Sequence, residues 1–207
     1  EPIQGEAGIK IPPQGYLRAA HQLCQQQRVL MLADEVQTGF GRTGKMFCCE
    51  HEGVLPEVMI MGKALGGGVL PVSAIAATEE VMGVLRPGQH GSTFGGNPLA
   101  AAVGVAALDA LVDEDLAGQA AAQGDYLMAK LRALRTPHVK EIRGRGLLVG
   151  IELTPEAGGA RRYCEALMAE GILAKETHET VIRLAPPLVI SRAELDWAVQ
   201  RVGKVLA

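Results

Sequence analysis

Val58-Met59-Ile60-Met61-Gly62-Lys63-Ala64-Leu65-Gly66-Gly67-Gly68 is the stretch on which the fold turns. A short apolar run of strand type delivers a lysine into a segment whose backbone three glycines keep bare. An amine so placed either clamps a phosphate or attacks a carbonyl. A phosphate-cradling P-loop needs a glycine five residues before Gly62 and a Ser or Thr after the lysine. Those positions hold Glu57 and Ala64, so that framework is missing. A Schiff-base lysine is left, and it needs partners elsewhere in the chain.

Working outward, Val29-Leu30-Met31-Leu32-Ala33 is a second continuous apolar run, as expected of a strand covered on both faces. It ends in Asp34-Glu35, and a glycine-rich turn follows from Gly39 to Gly44. Val72 to Ala77 reads as a third strand, and Tyr16 to Gln27 has the apolar spacing of a helix. This alternation predicts an α/β unit with a mainly parallel sheet. Ligands of such sheets sit beyond the carboxyl ends of the strands, where both Asp34 and Lys63 fall. His90-Gly91-Ser92-Thr93-Phe94-Gly95-Gly96-Asn97-Pro98 is a polar loop that closes with Asn97 as N-cap and Pro98 at the first helical position. One helix then runs to about Val112 and another from Leu116 to Leu134.

After Thr136-Pro137 the pattern changes. Val139 to Ile142 and Leu147 to Leu153 read as strands joined by Arg143-Gly144-Arg145-Gly146. Ala160 to Glu170 reads as a helix, and Ile172 to Ala174 and Val181 to Leu184 as short strands. Ser191 to Leu206 opens with a capping box, Ser191 with Glu194. The expectation is a larger unit over residues 1–116 and a small α+β unit over 117–207.

Composition narrows the function. The chain has 207 residues, 48% of them hydrophobic, which suffices for a sizeable core. A net charge of −3 favours neither nucleic acid nor an anionic membrane as partner. The longest uncharged stretch, Gln89 to Leu108, is interrupted by Gly-Ser-Thr-Phe-Gly-Gly-Asn-Pro and cannot span a membrane. Cys24, Cys48, Cys49 and Cys164 contain no CxxC pair and read as reduced thiols, the pattern of a cytosol-like compartment. His21, His51, His138 and His178 lack metal-ligand spacing. The chain opens on Glu1, and Glu1-Pro2-Ile3-Gln4-Gly5-Glu6 reads as a strand end entering a loop, so a fragment or processed piece is expected.

The usual carbonyl cofactor for such a lysine is pyridoxal phosphate, an electron sink. Its ring nitrogen must stay protonated, and a nearby carboxylate favours that charged form. Asp34 is the candidate, although a strand-end Asp also caps turns. Gln37 could donate to the cofactor's phenolic oxygen or be a solvated turn residue. Gly91-Ser92-Thr93 offers hydroxyls and bare N–H groups to a phosphate, or simply a glycine-rich approach to the helix. Arg183, on the apolar run Val181-Ile182-Arg183-Leu184, suits bidentate capture of a carboxylate, or faces water on an edge strand. Glu6, flanked by Gly5 and Ala7-Gly8, reads on its own as a surface acid.

Asp34-Glu35-Val36-Gln37-Thr38-Gly39, then Gly62-Lys63-Ala64-Leu65, then Gly91 to Pro98, resemble in order and spacing the class III pyridoxal-phosphate aminotransferases of the ornithine, acetylornithine and 4-aminobutyrate group, of fold type I. The resemblance covers essentially the whole chain. The ornithine branch is matched by Glu1 to Gly8, Leu70 to Ala74, Leu173-Ala174-Lys175 with Thr177-His178, and Val181 to Ile190. It implies a cofactor-bound Lys63 that moves a proton between substrate carbon and cofactor, Asp34 at the ring nitrogen and Gln37 at the phenolic oxygen. Ser92 and Thr93 would serve the phosphate, Thr93 across a dimer interface. Arg183 would take the α-carboxylate of glutamate or 2-oxoglutarate, and Glu6 would mask Arg183 while ornithine presents its δ-amine. The implied partners are amino-acid and 2-oxo-acid substrates, a second copy of the chain, and an amino-terminal half bearing the rest of the phosphate cup and the ring-stacking aromatic. A cytoplasmic location is the expectation, with the mitochondrial matrix as the other compartment in which relatives occur.

Overall fold

The computed structural model describes all 207 residues. Helix α1 (Tyr16–Gln26) leads into strands β1 (Leu32–Asp34), β2 (Val58–Met61) and β3 (Ala74–Ala77). A single turn of helix, α2 (Glu79–Met82), precedes the longer helices α3 (Pro98–Asp113) and α4 (Leu116–Ala133). Then come β4 (Val139–Arg145), β5 (Leu148–Leu153), α5 (Arg161–Ala169), β6 (Lys175–Thr177), β7 (Val181–Leu184) and α6 (Arg192–Val205). No helix is long and apolar enough to cross a membrane.

Two sheets result. In the first, of order β1-β2-β3, β1 lies parallel to β2 with Asp34 opposite Ile60. The mixed α/β class holds, with parallel pairing confined to these two strands. Strand β3 runs antiparallel to β2, pairing Met61 with Ala74. The connection between them holds one short 3-10 turn, Lys63–Gly66, and no crossover helix, so the chain doubles back. The expected cover on both faces of the apolar run 29–33 is incomplete: Ala33 is buried, Val29, Leu30 and Leu32 are each more than half exposed, and only Leu32 onward is strand. Two further boundaries move. Residues 172–174 are not a strand, because the chain leaving α5 turns through Gly171 and Ile172 N–H bonds back to the Leu167 carbonyl at 2.8 Å. Arg143 to Arg145 belong to β4, leaving only Gly146 and Leu147 in the turn.

The second sheet, β4-β5-β7-β6, is antiparallel throughout. Strand β5 is its buried centre, and the period-2 alternation sorts its side chains between two faces. Val149, Ile151 and Leu153 point into a core with Leu127 and Leu131 of α4, Leu167 of α5, and Leu195 and Val202 of α6. Leu148 points the other way and packs with Ile3 and Ile9 from the start of the chain. Residues 1–11 thus cover one face of the carboxyl-terminal sheet while three helices cover the other. Each such buried side chain contributes about 1.5–3 kcal/mol. The expected helix signals are realised: Asn97 accepts from the Ala100 N–H at 2.8 Å, and Ser191 with Glu194 forms a capping box.

The two sheets meet at Arg42. Its guanidinium donates to the Leu147 carbonyl at 3.2 Å and the Pro186 carbonyl at 2.5 Å, while Leu147 N–H returns a bond to the Arg42 carbonyl at 3.0 Å. Burial pulls the Arg42 pKa below its usual value, yet a guanidinium stays charged in any folded protein.

Helix α4 passes so close to the same turn that a Cβ on Gly124 would lie 2.2 Å from the Gly146 carbonyl oxygen. Both atoms are backbone-fixed, so a methyl group there must push helix from sheet. Gly124→Ala is expected to lower stability by about 1–3 kcal/mol, read as a lower urea midpoint in circular dichroism despite the better helix propensity of alanine.

Candidate active site

Lys63 stands immediately past the end of β2 and Asp34 at the end of β1. The parallel pairing of these strands therefore brings an amine and a carboxylate to neighbouring carboxyl ends. Lys63 adopts φ 45°, a left-handed conformation uncommon for a residue with a side chain. Strain of this kind costs on the order of 1–3 kcal/mol and persists only where the surroundings impose it. Here they do: Leu65, two residues on, is buried against Phe40 and Leu111 of α3, and Gly67 ends the turn at φ 58°. The Asp34 end is fixed in turn by its neighbour. Glu35 is fully buried; its carboxylate accepts from Cys49 N–H at 2.8 Å and from the Thr38 hydroxyl. Asp34 itself accepts from Val36 N–H at 3.1 Å.

Lys63, Gln37 and Arg183 line one open cleft of about 720 Å³. The Arg183 guanidinium donates to Glu6 Oε1 at 2.7 Å and to Gln37 Oε1 at 3.2 Å. Lys175 donates to the other Glu6 oxygen at 3.1 Å. The Lys175 ammonium first, and Arg183 second, hold the Glu6 carboxyl below the usual carboxylate range. Lys63 also lines an adjoining hollow of about 450 Å³ with Ser73, Ser92 and Asn97. Thr93 sits on the exposed loop between them and borders neither space. The sequence-derived residues thus divide into Lys63, Gln37, Arg183 and Glu6 in one group, Asp34 on the adjacent strand end, Ser92 in the side hollow, and Thr93 outward. A separate groove of about 450 Å³ beside Trp197 and Leu173 is mostly apolar and contains none of these groups.

An amine, a neighbouring strand-end carboxylate and a hydroxyl-bearing hollow fit pyridoxal phosphate, and the paired guanidinium fits a substrate carboxylate. The chain matches the model of the class-III aminotransferase family over residues 1–206. It belongs to that family. A class-III relative from Geobacillus sp. (strain WCH70), an ornithine aminotransferase, is 57% identical over all of this chain and 51% of its own length. Among solved structures, an ornithine aminotransferase from Toxoplasma gondii has 46% identity and a TM-score of 0.95, over 99% of this chain and 49% of its own, and carries PLP at partial occupancy. An acetylornithine aminotransferase from Elizabethkingia anophelis has 48% identity and a TM-score of 0.94, over 99% and 55%. The chain spans about half the length of the class-III relatives it matches.

Three contributors to the site are assigned no role by the motifs. Thr177 is buried, and its hydroxyl donates to the Glu6 carbonyl at 2.6 Å. Arg143 donates to the Gly8 carbonyl at 2.6 Å and the Ile9 carbonyl at 2.9 Å, fixing the loop that presents Glu6. Glu152 completes the set: it pairs with Lys140 at 2.6 Å and with Arg143. Lys175 and Thr177 lie within a stretch that matches the family pattern, but spacing alone assigns neither a partner.

Lys140 first, and Arg143 second, push the Glu152 carboxyl down to about 2 from 4.5. A depressed carboxylate stabilises the fold above its unfolded pKa, and that contribution fades as pH falls through the folded value. Glu152→Gln is therefore expected to cost about 2–3 kcal/mol at about pH 7. The deficit should shrink steadily below about pH 4, as urea midpoints across that range will show.

Proposed function

We propose that the complete enzyme containing this chain transfers the δ-amino group of ornithine to 2-oxoglutarate, giving glutamate 5-semialdehyde and glutamate, with pyridoxal 5′-phosphate as cofactor. The observation that carries this reading is the pairing of Glu6 with Arg183, whose side chain lines the same cleft as Lys63. Two donors of different shape, one a diamine acid and one a dicarboxylic acid, require a carboxylate receptor that can be masked and unmasked. The cofactor, when bound, supplies an electron sink for the substrate carbon that loses its proton. Lys63 would hold the cofactor through its amine and would then move the proton at that carbon. Asp34, at the adjacent strand end, keeps the ring nitrogen protonated. Gln37 is placed to donate to the phenolic oxygen as well as to meet Arg183. Ser92, in the side hollow, would hold the phosphate, and Thr93, exposed on its loop, would reach the site of a second copy in a homodimer. Arg183 binds the α-carboxylate of the dicarboxylic partner in the bidentate way its planar fork allows.

In this reading residues 1–116 belong to the cofactor-binding unit and 117–207 to the smaller one, and the Glu6–Arg183 pair crosses between them. The remaining half of the fold supplies the rest of the phosphate cup. A second reading, acetylornithine as donor, is favoured by the 48% identity to the Elizabethkingia anophelis enzyme.

Three measurements test this. On the holoenzyme, ornithine should be the best donor when compared with acetylornithine and 4-aminobutyrate; a preference for acetylornithine selects the second reading. Lys63→Ala should abolish both the cofactor's protein-bound absorbance band and turnover. Retention of both would instead mark a non-catalytic assembly subunit of this fold. The 207-residue chain alone should bind the cofactor weakly and turn nothing over, checked by absorbance titration.

A further inference from the structure

We propose that Lys175 is a positioning residue for this reaction: it receives the Glu6 carboxylate when a substrate carboxylate takes Arg183. The inference rests on the masking role given to Glu6 above. Lys175 and Arg183 are directly opposite in the register of β6 and β7. Side chains of such a pair emerge on the same face of a sheet and reach the same neighbours. They divide one carboxylate between them, Arg183 on Oε1 at 2.7 Å and Lys175 on Oε2 at 3.1 Å.

The backbone of Glu6 cannot travel with its side chain. Thr177 bonds its carbonyl, and Arg143 holds the carbonyls of Gly8 and Ile9. Unmasking Arg183 is therefore a rotation of the Glu6 side chain alone. Without a second cation, that rotation exchanges an ion pair for water. With Lys175 it exchanges a shared carboxylate for a whole one, so the opened state keeps a charge-assisted bond. The geometry suits this division of labour. Arg183 is the sheltered member, its side chain 18% exposed, and stays in place for the substrate. Lys175 is 57% exposed on a flexible stem and can follow the carboxylate outward. The substrate class singled out is the dicarboxylic one, 2-oxoglutarate and glutamate, because only these must displace Glu6.

The test follows the two half-reactions of the holoenzyme separately by cofactor absorbance. Lys175→Met should raise the apparent KM of the 2-oxoglutarate half-reaction about two- to fivefold, the range of an exposed ion pair, and leave the ornithine half-reaction unmoved. Lys175→Arg should restore the KM, and in a Glu6→Gln background Lys175→Met should have no further effect. Equal slowing of both half-reactions, no change in either, or an effect that survives Glu6→Gln would overturn the inference. The masking reading is separated by Glu6→Gln alone. If that variant leaves the ornithine-to-glutamate preference unchanged, the mask itself is refuted. If it shifts the preference while Lys175→Met does nothing, only the role of Lys175 falls. A readout free of turnover is carboxyl NMR of Glu6 in the 207-residue chain. Its titration midpoint should rise in Lys175→Met and return in Lys175→Arg; an unmoved midpoint would also overturn the proposal.

Discussion

Arg143 anchors the two backbone carbonyls of Gly8 and Ile9, and through them the first residues of the chain, to a sheet formed more than a hundred residues later. A guanidinium is suited to this because its fork satisfies several acceptors at once in fixed geometry. Glu152 compensates the charge on the other side. Because the loop is held there, Ile3 and Ile9 complete the apolar cover of Leu148, and Glu6 comes within reach of a partner 177 positions away. Release of that anchor would leave Arg183 unmasked and one face of the second sheet wet.

The cofactor end of the cleft depends on a different device. Parallel pairing of β1 and β2 sets two strand ends side by side, and the buried cluster of Phe40, Leu65 and Leu111 presses the turn beyond β2 into a strained form. The lysine at that turn is positioned by packing of its neighbours rather than by any partner of its own. The two ends of the cleft thus use opposite physics, apolar packing at Lys63 and shared charge at Arg183.

Much of this was legible in the residues. Apolar runs that stop at a polar residue mark strand ends, so Asp34 and Lys63 could be placed before any coordinates. Caps at Asn97 and Ser191 are local chemistry and were legible for the same reason. What was not legible depends on distant neighbours. Glu6 alone is an acid in a glycine-rich loop; the family resemblance supplies Arg183 as its partner, and only the fold adds Lys175. Lys175 and Thr177 lie in a matched stretch, yet spacing says nothing about what they touch. The reversed direction of β3 follows from a connection without a helix, which composition does not announce. The apolar run at Val29 and Leu30 satisfies the pattern of a covered strand, although both side chains stay more than half exposed.

Arg42 carries one more implication. A permanently charged group clasps the turn after β1 to Leu147, just before β5, and to Pro186, just past the strand that bears Arg183. Such a clasp cannot be loosened by any ordinary change of pH. It fixes the span between the amine and the guanidinium like the jaws of a locked calliper. Guests of unequal length must then be fitted by swinging side chains within a frame of constant gauge, and the reach of a single carboxylate sets the tolerance of the whole opening.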